Sequence, residues 1–107
     1  MKKTNLTAHA RFDRMTRIEY IIDTIGIGEV IAECAIHDKR GGYRRLTSTG
    51  VIIVVANDKH TIITAFIAEP RQAAAVYLED KKVRKMPDNL YNRIRKNEYY
   101  QKNQPRD

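Results

Sequence analysis

The segment Thr7-Ala8-His9-Ala10-Arg11-Phe12-Asp13-Arg14-Met15-Thr16-Arg17 sets an imidazole and three guanidinium groups at the mouth of what reads as a helix. A helix N-terminus is already the positive end of the macrodipole and favours acids. Arginines placed there gain nothing from the dipole, but they suit a protein that holds an anion at that end. A second polar set falls on predicted strands: Arg44, Arg45, Thr47, Ser48 and Thr49, with Thr64 interrupting the apolar run at 61–68. Arginine forks grip phosphodiesters, and a histidine near neutral pKa moves a proton in either direction. These types suffice for metal-free RNA cleavage. A base takes the ribose 2′-OH proton, that oxygen attacks the adjacent phosphorus, and an arginine stabilises the charge that builds. DNA lacks the 2′-OH, so the route requires RNA.

Each member also has an ordinary reading: a capping histidine, arginines paired with Asp13 or Glu19, solvated strand arginines, a plain turn at 47–50. Their joint occurrence is what points to a site. Other chemistries find no footing. His9, His37 and His60 lack metal-ligand spacing, and the single cysteine, Cys34, excludes both an internal disulfide and a thiolate cluster. No dinucleotide or Walker loop and no nucleophile elbow is present, so no metal and no cofactor is expected. Cys34 reads as a small buried hydrophobe in a strand.

The elements that must position these residues follow from periodicity. Residues 10–25 have helical spacing, with Phe12, Met15, Ile18, Ile22 and Ile25 on one stripe and Gly26 and Gly28 ending it. This phase puts Arg11 on the buried line, Arg14 at its edge and Arg17 toward solvent. Strands are predicted at 29–37, 43–49, 51–56 and 61–68, with short links that imply an antiparallel meander. Alternation puts Arg45 and Thr47 on one face of the second strand and Arg44, Leu46 and Ser48 on the other. Residues 47–50 read as either a hairpin turn or a bulge in one long strand, and 57–60 as a hairpin turn. Pro70 opens a helix rich in alanine. Asp88 is placed to cap a last helix at 89–102, in which Leu90, Tyr91 and Ile94 face inward. The fold class expected is α+β: an N-terminal helix, a four-stranded antiparallel meander, and one or two C-terminal helices packed on one face.

The 107 residues suggest one domain over 1–107, with its core at about 7–97 and a frayed basic tail at about 98–107. With 42% hydrophobic and 31% charged residues, the chain has the make-up of an ordinary globular domain. No apolar run approaches the ~20 residues of a membrane span, no signal peptide is seen, and a reducing cytoplasm is the expected location. The net charge of +7 is uneven: residues 81–107 hold nine Lys/Arg against three Asp/Glu, while residues 1–80 are nearly balanced. That asymmetry points to a polyanionic partner. Lys81, Lys82, Arg84, Lys85, Arg93, Arg95 and Lys96 would track its phosphates, and Tyr91, Tyr99 and Tyr100 are candidates to stack on bases.

Taken together, "TAHARFDRMTRI" and "YRRLTSTGVIIVVANDKHTIITAFI" resemble the barnase–EndoU–colicin–RelE group, particularly its small phage-borne and toxin-like members. The resemblance covers about residues 7–68 and implies a metal-independent ribonuclease. On that reading His9 is the acid/base, Arg11, Arg14 and Arg45 are phosphate and transition-state ligands, and Ser48 or Thr49 with Thr64 positions the substrate. The expectation is thus an RNA-directed protein, an endoribonuclease-like phage or toxin-type effector. Two alternatives stay open: a non-enzymatic nucleic-acid-binding module, or an effector that binds and inhibits a host protein. RNA is the expected partner, with a protein partner or antitoxin and a homodimer as further options.

Overall fold

The computed structural model describes residues 17–106. Helix α1 occupies 17–24 within that range. It is followed by β1 (Val30–Ala35), β2 (Tyr43–Thr47), β3 (Val51–Val55), β4 (Ile62–Ile67), α2 (Pro70–Lys81), α3 (Asp88–Arg95) and α4 (Glu98–Asn103). The strands form one antiparallel sheet in sequential order, a true meander. The 47–50 segment is a hairpin turn: Leu46 pairs with Ile52, and the Gly50 amide donates to the Thr47 carbonyl at 3.1 Å. Among the described residues no helix is long and apolar enough to cross a membrane.

Period-two alternation gives the sheet two apolar faces, and each is covered differently. On one, Ala32, Cys34, Leu46 and Ile52 pack with Ala73 and Val76 of α2 and Ile94 of α3. On the other, Val51, Ala65 and Ile67 pack against Ile21 of α1. The helices therefore flank the sheet, α1 on one side and the C-terminal α2 and α3 together on the other, as expected. Helix α2 begins with a reciprocal capping box between Glu69 and Gln72 and has proline in its first turn.

The phase of α1 differs from the expected stripe. Ile21 is fully buried and Ile22 is exposed. Isoleucines at 18, 21, 22 and 25 allow two helical phases, and packing against Val51, Ala65 and Ile67 selects the one centred on Ile21. Arg17, four residues before Ile21, therefore lies on the inward line and is half-buried rather than solvent-facing.

The C-terminal region also departs from expectation. The predicted single helix at 89–102 is two helices, because Asn97 at the junction leaves the helical path. Its buried side chain instead donates from Nδ2 to the Thr49 carbonyl at 2.7 Å. Gly50 makes room: with φ +95, a Cβ there would stand 2.7 Å from that nitrogen. Pro87, not Asp88, occupies the N-cap of α3, and Asp88 falls in its first turn. Tyr91, expected inside, is exposed. Beyond Asn97 the chain forms α4 over Glu98–Asn103. Gln104 lies beside the open edge of β4, accepting from the Ile67 amide at 2.9 Å and donating to the Ile67 carbonyl at 3.2 Å. This side-chain amide mimics a neighbouring strand and blunts an edge otherwise open to pairing. The Tyr20 hydroxyl donates to the Tyr100 carbonyl at 3.2 Å, tying α4 to α1.

Candidate functional site

His9, Arg11 and Arg14 lie outside the described residues. The other members of the predicted cleavage site can be placed, and all but Arg44 have side-chain partners within the fold. Arg45 stands on the α1 face of β2, directly across from Glu33 on β1. Its Nε donates to Glu33 Oε1 at 3.1 Å and its terminal nitrogen donates to the Lys59 carbonyl at 3.3 Å. Lys59 Nζ adds a second cation 3.5 Å from Glu33 Oε2 and sits over the Tyr43 ring at 4.6 Å. The guanidinium is thus paired with a carboxylate that it shares with Lys59, and is held on two sides.

Thr64 is paired with Val54 next to a bulge in β4, and its hydroxyl accepts from a terminal nitrogen of Arg17 at 2.7 Å. Arg45 and the Thr64 region are two strands apart, about 10 Å across the sheet at ordinary strand spacing. Arg44, adjacent to Arg45 in sequence, falls on the opposite face, as alternation requires.

Thr47, Ser48 and Thr49 form a staple between the β2–β3 turn and the link that leaves α1. Thr47 is fully buried, and its Oγ1 accepts from the Val51 amide at 3.1 Å. Thr49 Oγ1 lies 2.7 Å from the Gly26 carbonyl and 2.9 Å from that of Ile27, and takes those as acceptors. Its one hydrogen is directed there, so the 3.2 Å bond between the two hydroxyls is donated by Thr47. Ser48 Oγ accepts from the Glu29 amide at 3.1 Å. These three hydroxyls satisfy backbone groups of the turn and the link.

The nucleic-acid set has the opposite character. Within α3, Leu90 and Ile94 face the core, which turns Asn89, Asn92, Arg93, Arg95 and Lys96 outward. Lys82, Arg84 and Lys85 stand exposed on the connector before it. Two of the predicted cations are in ion pairs, Lys81 with Asp80 at 3.6 Å and Lys85 with Asp88 at 3.4 Å, both at exposed sites. Lys82, Arg84, Arg93, Arg95 and Lys96 make no ion pair among the described residues. Lys81 and Arg93 flank a depression of about 530 Å³ floored by Ile31, Tyr77 and Leu90. Further along, Tyr99 is 70% exposed and meets Tyr100 edge-on at 5.6 Å.

Sequence reasoning missed the groove on the other half of the α2 face. It has a volume of about 700 Å³, and Arg44 projects into it. Alternation already placed Arg44 beside Leu46, but only the position of α2 shows that the space over β3 and β4 is left open. Among the described residues no cluster of three His, Cys, Asp or Glu side chains is arranged to hold a metal ion. No family model, no curated protein and no solved structure matches the chain.

Proposed function

We propose that this protein binds single-stranded nucleic acid, RNA foremost, without cleaving it, along the surface formed by the 82–85 connector, α3 and α4. The observation that carries this reading is the row of five exposed cations, Lys82, Arg84, Arg93, Arg95 and Lys96, on a surface with few carboxylates. Unbalanced cations on a rigid helix attract a polyphosphate backbone and release its counterions. Exposed Tyr91, Tyr99 and Tyr100 add aromatic rings on which bases stack, at about 1–3 kcal/mol per base. Single strands are favoured because only unpaired bases offer free faces to those rings. RNA is placed first because the resemblance of residues 7–68 is to RNA-acting proteins. Binding is preferred over cleavage because Arg45 is engaged by Glu33 and the 47–49 hydroxyls bond backbone groups.

The test is a titration of a fluorescent 12-nucleotide oligo(U) at rising salt. Five phosphate contacts to a single strand give a slope of about −3.5 in log K against log salt. Arg93→Glu combined with Lys96→Glu should weaken binding more than tenfold at low salt and flatten that slope. Arg45→Gln should leave affinity within about twofold. Equal affinity for wild type and the double charge reversal would remove the C-terminal surface from the reading. RNA fragments with 2′,3′-cyclic phosphate ends, formed in EDTA, would restore cleavage.

A further inference from the structure

We propose that the groove between α2 and the uncovered half of the sheet is a binding site for a small amphipathic anion, a carboxylate carried on an apolar body. Helix α2 covers the β1 side of its face, and α3 covers the end near the 47–50 turn. Among the described residues, what stays open is an apolar floor of Ile52, Val54 and Phe66 with Ile63 beside it. The α2 wall of the groove is low at its middle, where Ala75 and Val76 face it between the longer Gln72 and Glu79. The volume of about 700 Å³ lies within the range of small-ligand sites.

Arg44 supplies the polar end. It rises from a central strand, between Cys34 on β1 and Val54 on β3. Among the described residues its side chain makes no hydrogen bond and no ion pair. The two carboxylates bordering the groove are held by other groups. Glu79 meets His37 at 3.3 Å, and Asp38 accepts from the amides of Arg40 and Gly41 at 2.9 and 3.2 Å. Arg40, also on the rim, makes no side-chain ion pair among the described residues. An arginine standing alone in an apolar strand face presents an open fork that fits a carboxylate bidentately. A ligand seated there would place its head on Arg44 and its apolar body along Val54, Phe66 and Ile63.

Decanoate is the probe, with decyltrimethylammonium and acetate as comparison ligands in calorimetric titrations. Decanoate should bind, the cationic amphiphile at least tenfold more weakly, and acetate not measurably. Arg44→Gln should weaken decanoate at least fivefold, with Arg44→Lys between the two. Because Arg44 is exposed, these variants keep the fold, which circular dichroism checks. Ala75→Leu, which fills the groove from an exposed helix position, should also abolish binding. Cys34 lines the groove and is the only thiol, so bound decanoate should slow its alkylation. Equal binding of the two amphiphiles, unchanged affinity in Arg44→Gln, or no decanoate binding at millimolar concentration would overturn the assignment.

Discussion

Arg45 and Arg93 carry the same side chain and have opposite fates. Arg45 sits on a strand opposite Glu33, and its guanidinium is divided between that carboxylate and the Lys59 carbonyl. Arg93 sits on a helix whose inward residues are Leu90 and Ile94, and it faces water with no carboxylate partner among the described residues. The difference extends to whole regions. On the sheet, hydroxyls and cations close the fold: Thr47 to Val51, Thr49 to the α1 link, Arg17 to Thr64. On the C-terminal helices, packing uses only one apolar stripe and leaves the charge unspent. Residue type alone does not distinguish the two regions; the presence or absence of a partnering carboxylate does.

That contrast can be broken from either side. The largest effect should come from Ile94→Ala. Ile94 is 1% exposed and anchors α3, so its truncation should cost about 2–5 kcal/mol in urea unfolding. If the cationic surface depends on that anchor, RNA affinity should fall with it. Next is Thr47→Val, which strands the buried Val51 amide while keeping the side chain's shape. The expected loss is about 1–3 kcal/mol, with RNA affinity per folded molecule unchanged. A stable Thr47→Val that loses RNA binding would return the hydroxyls to a ligand role.

Smaller still is Glu33→Gln, which releases Arg45 and Lys59. The pairs are partly solvated, so the stability change should stay below about 1 kcal/mol. A gain in RNA affinity in this variant would show that Arg45 competes for phosphate once freed. The smallest effect is a pH dependence at the β3–β4 turn. The Thr61 amide and hydroxyl, then the His60 amide, donate to Asp58 and hold its carboxyl down at about 2 from an ordinary 3.8. A depressed carboxylate stabilises the fold above its unfolded pKa, and that contribution is lost as pH falls from about 4 toward 2. Urea midpoints of wild type should drop more steeply in that window than those of Asp58→Asn.

Much of the scaffold was legible because its signals are local. The alternation in "VIAECA" and the β-branched "VIIVV", with turn residues between strands, fixed four strands and their antiparallel order. Glu69-Pro70 marked the start of α2. The cationic C-terminal surface was legible from charge alone, since Leu90 and Ile94 leave only one way to face the basic residues. The partners of the polar sheet residues were not legible, because they are distant in sequence. Glu33 lies twelve residues from Arg45, and Gly26 lies twenty-three from Thr49.

The sequence by itself determined the four strands, the helical segments on either side of them, their order and the charge asymmetry, because periodicity, turn chemistry and net charge act over a few neighbouring residues. Tertiary structure alone decided the phase of α1, the break at Asn97, the docking of Gln104 on β4 and the open groove beside α2. Each of these depends on which of several locally equivalent choices buries more apolar surface or satisfies a distant backbone group. Ile21 and Ile22 are indistinguishable until Val51 and Ile67 meet one of them.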